Sequence, residues 1–536
     1  MNKPLIPSAP RRSFLKTATA GVGALVALPE TAAVQSSSTA AKTSYEVTTF
    51  GAKGDGRTLD SPAINRAIEA AAVAGGGTVS FPAGNYLCFS IHLKSNVALH
   101  LAPGATLLAA DPPADPASNP AYDLPESNAP WEGYQDFGHN HWHNSLIWGE
   151  SLENVSITGP GLIWGKGLSR GWGAGPIAEH PGVGNKAIAL KDCRNVLLRD
   201  FSILHGGHFG ILATGVDNLT IDNLKIDTNR DGMDIDCCCN VRVTNCSVNS
   251  PWDDAICLKS SFALGYARAT EMVTISDCVV SGSFEEGMLL DGTYKRFAAD
   301  AKVERTGRIK FGTESNGGFK NITITNCVFD GCWGFALETV DGALLEDVTI
   351  SNITMRDLQG APIFMRLGAR MRGPAGVPVG ALRRVMISNL VCSNAGSTVS
   401  SIISGIPGHE IEDVKLSNIL VQHQGAGSQN DAVLQLPEKE KDYPEPSMFG
   451  TTPAHGFFIR HTKGIEINDV EIQCAKEDAR PAFVLDDVSR ADFFRVTAPR
   501  VQGKPVIVLN NVKDFSVSRT KSVADAEIES TERKDL

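Results

Sequence analysis

From about residue 150 to about residue 475 the chain repeats one short phrase in which apolar residues take alternate positions. It reads NVSITG from Asn154, NVLLRD from Asn195, NLTIDN from Asn218, NVRVTN from Asn240, MVTISD from Met272 and NITITN from Asn321. It continues as DVTISN from Asp347, RVMISN from Arg384, DVKLSN from Asp413 and GIEIND from Gly464. Period-2 alternation makes each phrase a strand. The tightest spacings, 23 and 22 residues from Asn195 to Asn218 to Asn240, suit one coil of a solenoid, so neighbouring strands run parallel. Wider spacings mean loops inserted between strands. Asn at a fixed place in the phrase predicts an internal side-chain ladder at a turn.

Ahead of the repeats come TFGAKGDG at Thr49–Gly56, a helical pattern over Ser61–Ala74, the triplet Gly75-Gly76-Gly77 and the strand TVSFPAGNYL. Asp60-Ser61-Pro62 supplies a helix cap and a first-turn proline, and the helix is expected to plug the open end of the solenoid. Two insertions stand out, Asp111–Trp142 and Ser283–Arg305; long loops on a compact solenoid are disproportionately functional. The polar stretch Arg519–Leu536 is expected to be a disordered tail.

Composition changes this picture in three respects. The length of 536 residues would suggest several domains, but the repeat argues for one all-β solenoid over residues 44–518 with its capping helix. A net charge of -11 and a pI near 5.6 give no support for nucleic-acid or membrane-surface binding. Within residues 1–43, Arg11-Arg12-Ser13-Phe14-Leu15-Lys16 precedes an apolar stretch from Thr17 to Leu28 and the small residues Ala32-Ala33. This reads as a twin-arginine export signal, engaging the twin-arginine machinery and implying a periplasmic or secreted protein; the apolar run is too short for a membrane anchor. Twelve cysteines are too few for a disulfide scaffold. Cys246, Cys278 and Cys327 occupy related phrases and are expected to stack as small buried residues, while the run Cys237-Cys238-Cys239 lacks metal-ligand spacing.

The strongest chemical signal is DGMDIDCCCNVRVTNCSVNSPWDDAICLK, residues 231–259. The 22 residues from Asp231 to Asp253 are one coil, and strands one coil apart sit about 4.8 Å from each other. Asp231, Asp253 and Asp254 therefore converge on one patch, as hydrolysis of a glycosidic bond by two carboxylates requires. Turn capping or Ca2+ binding is the alternative use of such aspartates. Strict alternation would turn Asp234 and Asp253 outward, Ile256 and Leu258 inward, and would not place Asp231 and Asp254 with them. Gly232 and the preceding turns can break that parity, and Asp234 stands as the substitute candidate.

FGAKGDG, GGGTVSFPAGNY, LKSNVALHLAPGATL, DGMDI, DDAICLKS and GTESNGGFKNI together resemble the polygalacturonase family, glycoside hydrolase family 28, on the pectin-lyase-like single-stranded right-handed parallel β-helix. The resemblance implies an inverting hydrolase of pectic α-linkages with no metal or other cofactor. It aligns Asn229-Arg230-Asp231-Gly232 with the family's Asn-Thr-Asp-Gly and Trp252-Asp253-Asp254 with its Gly-Asp-Asp. Asp253 is then the general acid, with Asp231 and Asp254 activating water. A carboxyl separation of roughly 6.5–9.5 Å would admit that water and invert the anomer.

Two departures bear on substrate. The family's Gly-His-Gly falls on Thr306-Gly307-Arg308, so its histidine is absent. Its substrate-contacting Arg-Ile-Lys falls on Ala336-Leu337-Glu338. A literal Arg308-Ile309-Lys310 lies one coil earlier, and two readings are open: cationic contacts to substrate supplied from a different coil, or solvated surface. Without such contacts the sugar at the cleaved bond would be neutral, for example rhamnose, rather than galacturonate. Other candidates for sugar contact are Lys259, the histidines of Gly138-His139-Asn140-His141-Trp142-His143 (His141 and His143 with His139 on one face), and Arg366, Arg370 and Arg372. The histidines could instead hold a metal or be strand surface, and the arginines could close a loop. Glu285, Glu286 and Asp291 could replace a missing group or be a solvated loop. The rival functions are a Ca2+-dependent polysaccharide lyase using Lys259, Arg308 or Lys310 as base, and a non-catalytic glycan-binding β-helix.

Overall fold

A computed structural model describes residues 43–115, 120–136, 138–171 and 180–536; the export signal expected within residues 1–43 lies outside the described residues, apart from Thr43. The alternating phrases form coils of a parallel β-helix, with one helix, α1 (Ser61–Val73), at the amino-terminal end. Ile64, Ala67, Ile68 and Ala71 of α1 are buried against the first strands, so the helix plugs the solenoid as the pattern anticipates. Pro62 occupies its first turn, but Asp60 does not cap it. The Asp60 carboxylate accepts instead from the backbone N–H of Lys53 at 2.7 Å and of Gly54 at 2.9 Å, tying down the preceding loop.

One sheet carries the site. Its strands are β1 (Ile147–Glu150), β2 (Lys186–Lys191), β3 (Phe209–Thr214), β4 (Asp231–Asp236), β5 (Ile256–Ser260), β6 (Ile309–Ser315), β7 (Phe335–Thr339), β8 (Ile363–Leu367) and β9 (Ser401–Ser404), each parallel to the next. Residues in register form columns across it, and one outward column runs Trp148, Ala189, Leu212, Asp234, Cys257, Lys310, Ala336. The inward columns, including Ile188, Ile211, Met233, Ile256 and Ile309, are fully buried and build a continuous core.

The first residue of each phrase bends the chain between sheets. Asn154, Asn195, Asn218, Asn240 and Asn321 all have φ near +57, at 56, 58, 57, 57 and 55°, a left-handed conformation that Asn tolerates better than most residues. Asn195 Nδ2 donates to Asn154 Oδ1 at 2.9 Å and Asn218 Nδ2 to Asn195 Oδ1 at 2.8 Å. The ladder exists but lies on the solvent side of the turn rather than inside it. Cys246, Cys278 and Cys327 are buried at matching places in successive coils, and all twelve cysteines are free thiols.

The expectation of a disordered tail over Arg519–Leu536 is overturned. Ala526–Asp535 forms a strand antiparallel to Ile507–Ser518, with Ile528 turned into the last coil and Leu536 packed on the core. The segment is polar because only one of its faces meets protein. The last parallel coil, whose open edge could have paired with a second chain, is covered by it.

Candidate active site

Backbone parity decides where the carboxylates point. Phe209 pairs with Asp231 and Ile211 with Met233, so the residue between, Gly232, falls beside inward Met233. A Cβ on Gly232 would lie 2.5 Å from Val248 Cγ1 in the core and 2.4 Å from the Ala255 carbonyl oxygen. Gly232 thus takes the inward slot that alternation gives to Asp231, and Asp231 turns outward. One coil on, Ala255 and Ile256 are both buried in the core, and Asp254 turns out in the same way. Gly232 therefore breaks parity as anticipated.

One carboxylate oxygen from each of Asp231, Asp253 and Asp254 lies within 4.8 Å of the others. Asp253 and Asp254 adjoin in sequence, and Asp231 stands beside them because adjacent coils are held at the spacing of neighbouring strands. Four cations surround the trio. Arg308 Nε donates to Asp254 Oδ1 at 2.7 Å, and Lys310 Nζ lies 3.4 Å from Asp254 Oδ2. Arg230 Nη2 lies 2.7 Å from Asp253 Oδ2 and 3.8 Å from Asp231 Oδ2. Lys259 Nζ sits 3.1 Å from Glu314 Oε2 and 3.8 Å from Asp234 Oδ2.

These surroundings separate the three acids. Burial raises the pKa of Asp231 well above the usual carboxylate range, and Asp253 and Asp234 add to it. Burial also raises Asp253, with Arg230 opposing and Asp254 assisting. For Asp254 the cost of burial is outweighed by Lys310 and Arg308, and its pKa is lowered. Asp254 therefore stays ionised while Asp231 and Asp253 form a pair able to keep a proton. Of that pair Asp253 is nearer the mouth, its side chain 27% exposed against 6% for Asp231.

The carboxylates floor a cleft with two lobes. The inner lobe, of about 450 Å³, is lined by Asp136, His139, His208, Lys259, Lys310 and Tyr443 besides the trio. The outer lobe, of about 430 Å³, is lined by Arg170, Asn229, Arg230, Trp252, Asp253 and Glu304. Arg230 and Asp253 belong to both. The insertion Asp111–Trp142 provides Asp136 and His139, and the insertion Ser283–Arg305 provides Glu304. A third long segment, residues 424–456, crosses the sheet as a strap that brings in Tyr443 and Glu445. Glu445 Oε1 accepts from Arg308 Nη2 at 2.8 Å and from Lys310 Nζ at 3.5 Å.

The sequence-derived candidates divide accordingly. Lys259 and Lys310 line the inner lobe. Arg308 is 1% exposed and Lys310 2%, which overturns the solvated-surface reading for both. Asp234 is fully buried beneath His139, whose Nε2 is 3.2 Å away, and does not reach the lobe. Residues 138–143 form no strand, so their histidines do not share a face: His139 enters the pocket, His141 is buried 3.9 Å from Glu132, and His143 faces a separate groove. Arg366 closes a loop, donating to the carbonyls of Glu438 at 2.7 Å and Lys439 at 3.1 Å and so anchoring the strap. Arg370 binds the Asp341 carboxylate and Thr313. His141, His143, Arg366 and Arg370 are therefore not pocket residues, because neighbouring segments take up their polar atoms or turn them away. Glu285 pairs with Lys295, Asp291 caps Thr293, and Glu286 lies 2.6 Å from His205 Nε2.

His208, Arg230, Tyr443 and Glu445 were missed. His208 follows the two glycines Gly206-Gly207 just before β3, and its pKa is pushed well below the usual histidine value by burial and by Arg230. A neutral histidine thus stands near the trio, from an earlier coil than the one the family uses. The strap gave a usable signal, a run without alternation bearing Pro437, Pro444 and Pro446.

Comparison with known proteins agrees with this architecture. Residues 44–108 match the family model for rhamnogalacturonase A/epimerase, pectate lyase-like, and residues 177–298 match that for a right-handed β-helix region. The chain is a right-handed parallel β-helix. It is 27% identical to an exo-poly-alpha-D-galacturonosidase of Dickeya chrysanthemi over 278 residues, 44% of each chain. It is 23% identical to a probable polygalacturonase of Vitis vinifera, over 69% of this chain and 73% of the other. The first match thus spans less than half of that relative's length. In fold, the β-helix is similar to a family 28 exopolygalacturonase of Yersinia enterocolitica, with a TM-score of 0.62 and 19% identity over 86% of this chain and 79% of the other.

Proposed function

We propose that the protein is an inverting glycoside hydrolase that removes residues from the end of a pectic α-linked chain. The observation that carries this reading is the trio of carboxylates one coil apart, one held ionised and two held above their usual pKa. Asp253 at the mouth protonates the leaving glycosidic oxygen, and a water between Asp231 and Asp254 attacks the anomeric carbon from the opposite side. A water can donate to two carboxylate oxygens within 4.8 Å of each other, since each hydrogen bond is about 2.7 Å long. The wall formed by Asp136, His139 and Tyr443 supports a chain end in the inner lobe, and Lys259 and Lys310 there support an anionic sugar. Trp252, 40% exposed in the outer lobe, offers a stacking face to the next one. With Arg11-Arg12 directing export, the enzyme would meet its substrate outside the cytoplasm.

The lyase reading is disfavoured by the bases it needs. Burial works to lower the pKa of Lys259 and Lys310, but their neighbours, Cys257 and Glu314 foremost for Lys259 and Asp254 and Glu338 for Lys310, raise both above the ordinary lysine value, which disfavours a neutral amine able to abstract a proton. Arg230, Arg308 and Lys310 already sit against carboxylate oxygens of Asp253 and Asp254, where a Ca2+ would have to bind. The deciding measurement is product analysis on polygalacturonan, rhamnogalacturonan and their oligosaccharides. We expect single sugars released from one end, each with a new reducing end of inverted configuration by proton NMR, and no absorbance from unsaturated products. Unsaturated products would overturn hydrolysis; retained configuration would make one of the aspartates a nucleophile; inertness on every substrate would favour a binding protein.

Arg230, which stands where the family pattern has Thr, gives a second expectation. Its cation opposes protonation of Asp253, so Arg230→Gln should raise the pKa of the acid. The alkaline limb of kcat/KM, set by loss of the acid's proton, is expected to move to higher pH. A limb that stays in place would separate Arg230 from the acid.

A further inference from the structure

Toward the amino-terminal end of the same sheet, three strands from Asp234 along its column, lies a separate groove of about 820 Å³. Its lining includes His92, Asp123, His143, Trp148 and Glu150. An apolar partition of Trp142, Ala189, Phe209 and Leu212 stands between it and the catalytic lobe. At its edge, where His143 and Glu150 line it, one donor atom from each of Glu126, His143 and Glu150 lies within 4.8 Å of the other two. His143 Nε2 is 2.9 Å from Glu150 Oε2 and 3.5 Å from Glu126 Oε1.

Three observations point to a cation between these atoms. Each ligand is held from behind, as metal ligands are: Glu126 Oε2 accepts from the backbone N–H of Trp142 at 2.9 Å and of His143 at 3.3 Å, Glu150 Oε1 is 2.8 Å from Lys191 Nζ, and the His143 ring packs against Trp148 with centroids 4.0 Å apart and planes tilted by 33°. The remaining oxygen of Glu126, Oε1, is itself buried and accepts no hydrogen bond. The two comparable clusters among the described residues are already filled by protein cations: Arg372 and Lys259 approach Asp136, His139 and Glu314, while Arg230, Arg308 and Lys310 approach the catalytic trio. At Glu126, His143 and Glu150 the nearest ammonium, Lys191, is on the far oxygen of Glu150 and packs over the Trp142 ring at 4.5 Å.

We propose that Glu126, His143 and Glu150 bind a divalent transition-metal ion, with Zn2+ the best match to one imidazole and two carboxylates. The fourth coordination position would open into the groove and take water. Glu126 and His143 flank the far end of the long insertion and Glu150 ends β1, so the ion would pin to the sheet the segment that delivers Asp136 and His139 to the catalytic pocket. Its role is structural, and it holds whichever substrate the pocket takes.

The test is calorimetric titration of the full chain, first dialysed against chelator, with ZnCl2 at neutral pH and with CaCl2 in parallel, alongside His143→Phe and Glu126→Gln. Phe preserves the ring contact with Trp148 and removes the ligand; Gln preserves the backbone bonds and removes a charge. We expect one equivalent of Zn2+ to bind, Ca2+ not to compete, and affinity to fall about tenfold or more in whichever variant retains the native circular dichroism. Saturating Zn2+ should raise the Tm of the unsubstituted protein by about 2 °C. No saturable Zn2+ binding, or binding of equal affinity in both variants, would overturn the proposal and leave His143 as an ion-pair partner of the two glutamates.

Discussion

Asp253→Asn is expected to lower kcat by about 10²–10⁴-fold, the usual worth of a positioned general acid, while leaving the fold intact. The asparagine has nearly the same shape, and its site is at the pocket mouth rather than in the core. It can still bond to the backbone N–H of Asp254, which Asp253 Oδ1 accepts at 3.0 Å. What it cannot do is give a proton to a departing sugar oxygen. The informative comparison is between substrates: a synthetic glycoside with an acidic leaving group needs little protonation, so its rate should fall far less than that of the natural linkage. If both fall equally, Asp253 does not act on the leaving group, and Asp231, the other raised member of the pair, becomes the acid.

Arg308→Ala should be the most destabilising change near the site, by about 3–5 kcal/mol, the range for removing one partner from a buried ion pair. Arg308 is 1% exposed, donates to Asp254 and Glu445, and lies over the Trp333 ring at 4.9 Å. Without it Lys310 alone faces Asp254, Glu445 and Glu338, and burial already pushes Glu338 up to about 8. Asp254 would lose an influence that keeps it ionised, and the strap would lose a tether at Glu445. Urea denaturation gives the stability change directly. Arg308→Lys should recover only part of it, because an ammonium cannot span Asp254 and Glu445 as the guanidinium does. A loss below about 1 kcal/mol for Arg308→Ala would mean that water enters and solvates the two acids.

The solenoid, its capping helix and the convergence of the three carboxylates were legible because they depend on spacing that the backbone imposes. A coil of 22 residues between Asp231 and Asp253 must stack them, and Gly232 announces the break in parity that brings Asp231 round. The pocket walls were not legible in the same way. His139, Asp136, Tyr443 and Glu445 arrive from loops whose course depends on tertiary ion pairs, such as Arg372 Nη1 to Asp136 Oδ1 at 2.6 Å, and no period constrains them. The histidine run misled for a related reason: alternation in six residues looks like a strand, but Gly138 at φ 80° and backbone bonds to Glu126 wind the segment into irregular turns. For Arg366 and Arg370 the sequence left sugar contact and loop closure both open, because the carbonyls and the carboxylate that occupy them are remote in sequence. The polar tail was misjudged because a single strand laid on the end of a solenoid buries too few side chains to show a period.

That last strand governs how the stack terminates. Every parallel coil offers the next one a hydrogen-bonding edge of the same polarity, so a β-helix has no intrinsic stopping point. By reversing direction, Ala526–Asp535 presents a strand of opposite sense studded with Glu527, Glu529, Glu532 and Lys534. Another copy's first coil, closed by α1, meets it with neither matching polarity nor apolar surface. The fold thereby separates two properties that repetition would otherwise couple: it can lengthen a rigid platform without also becoming a seed for filaments.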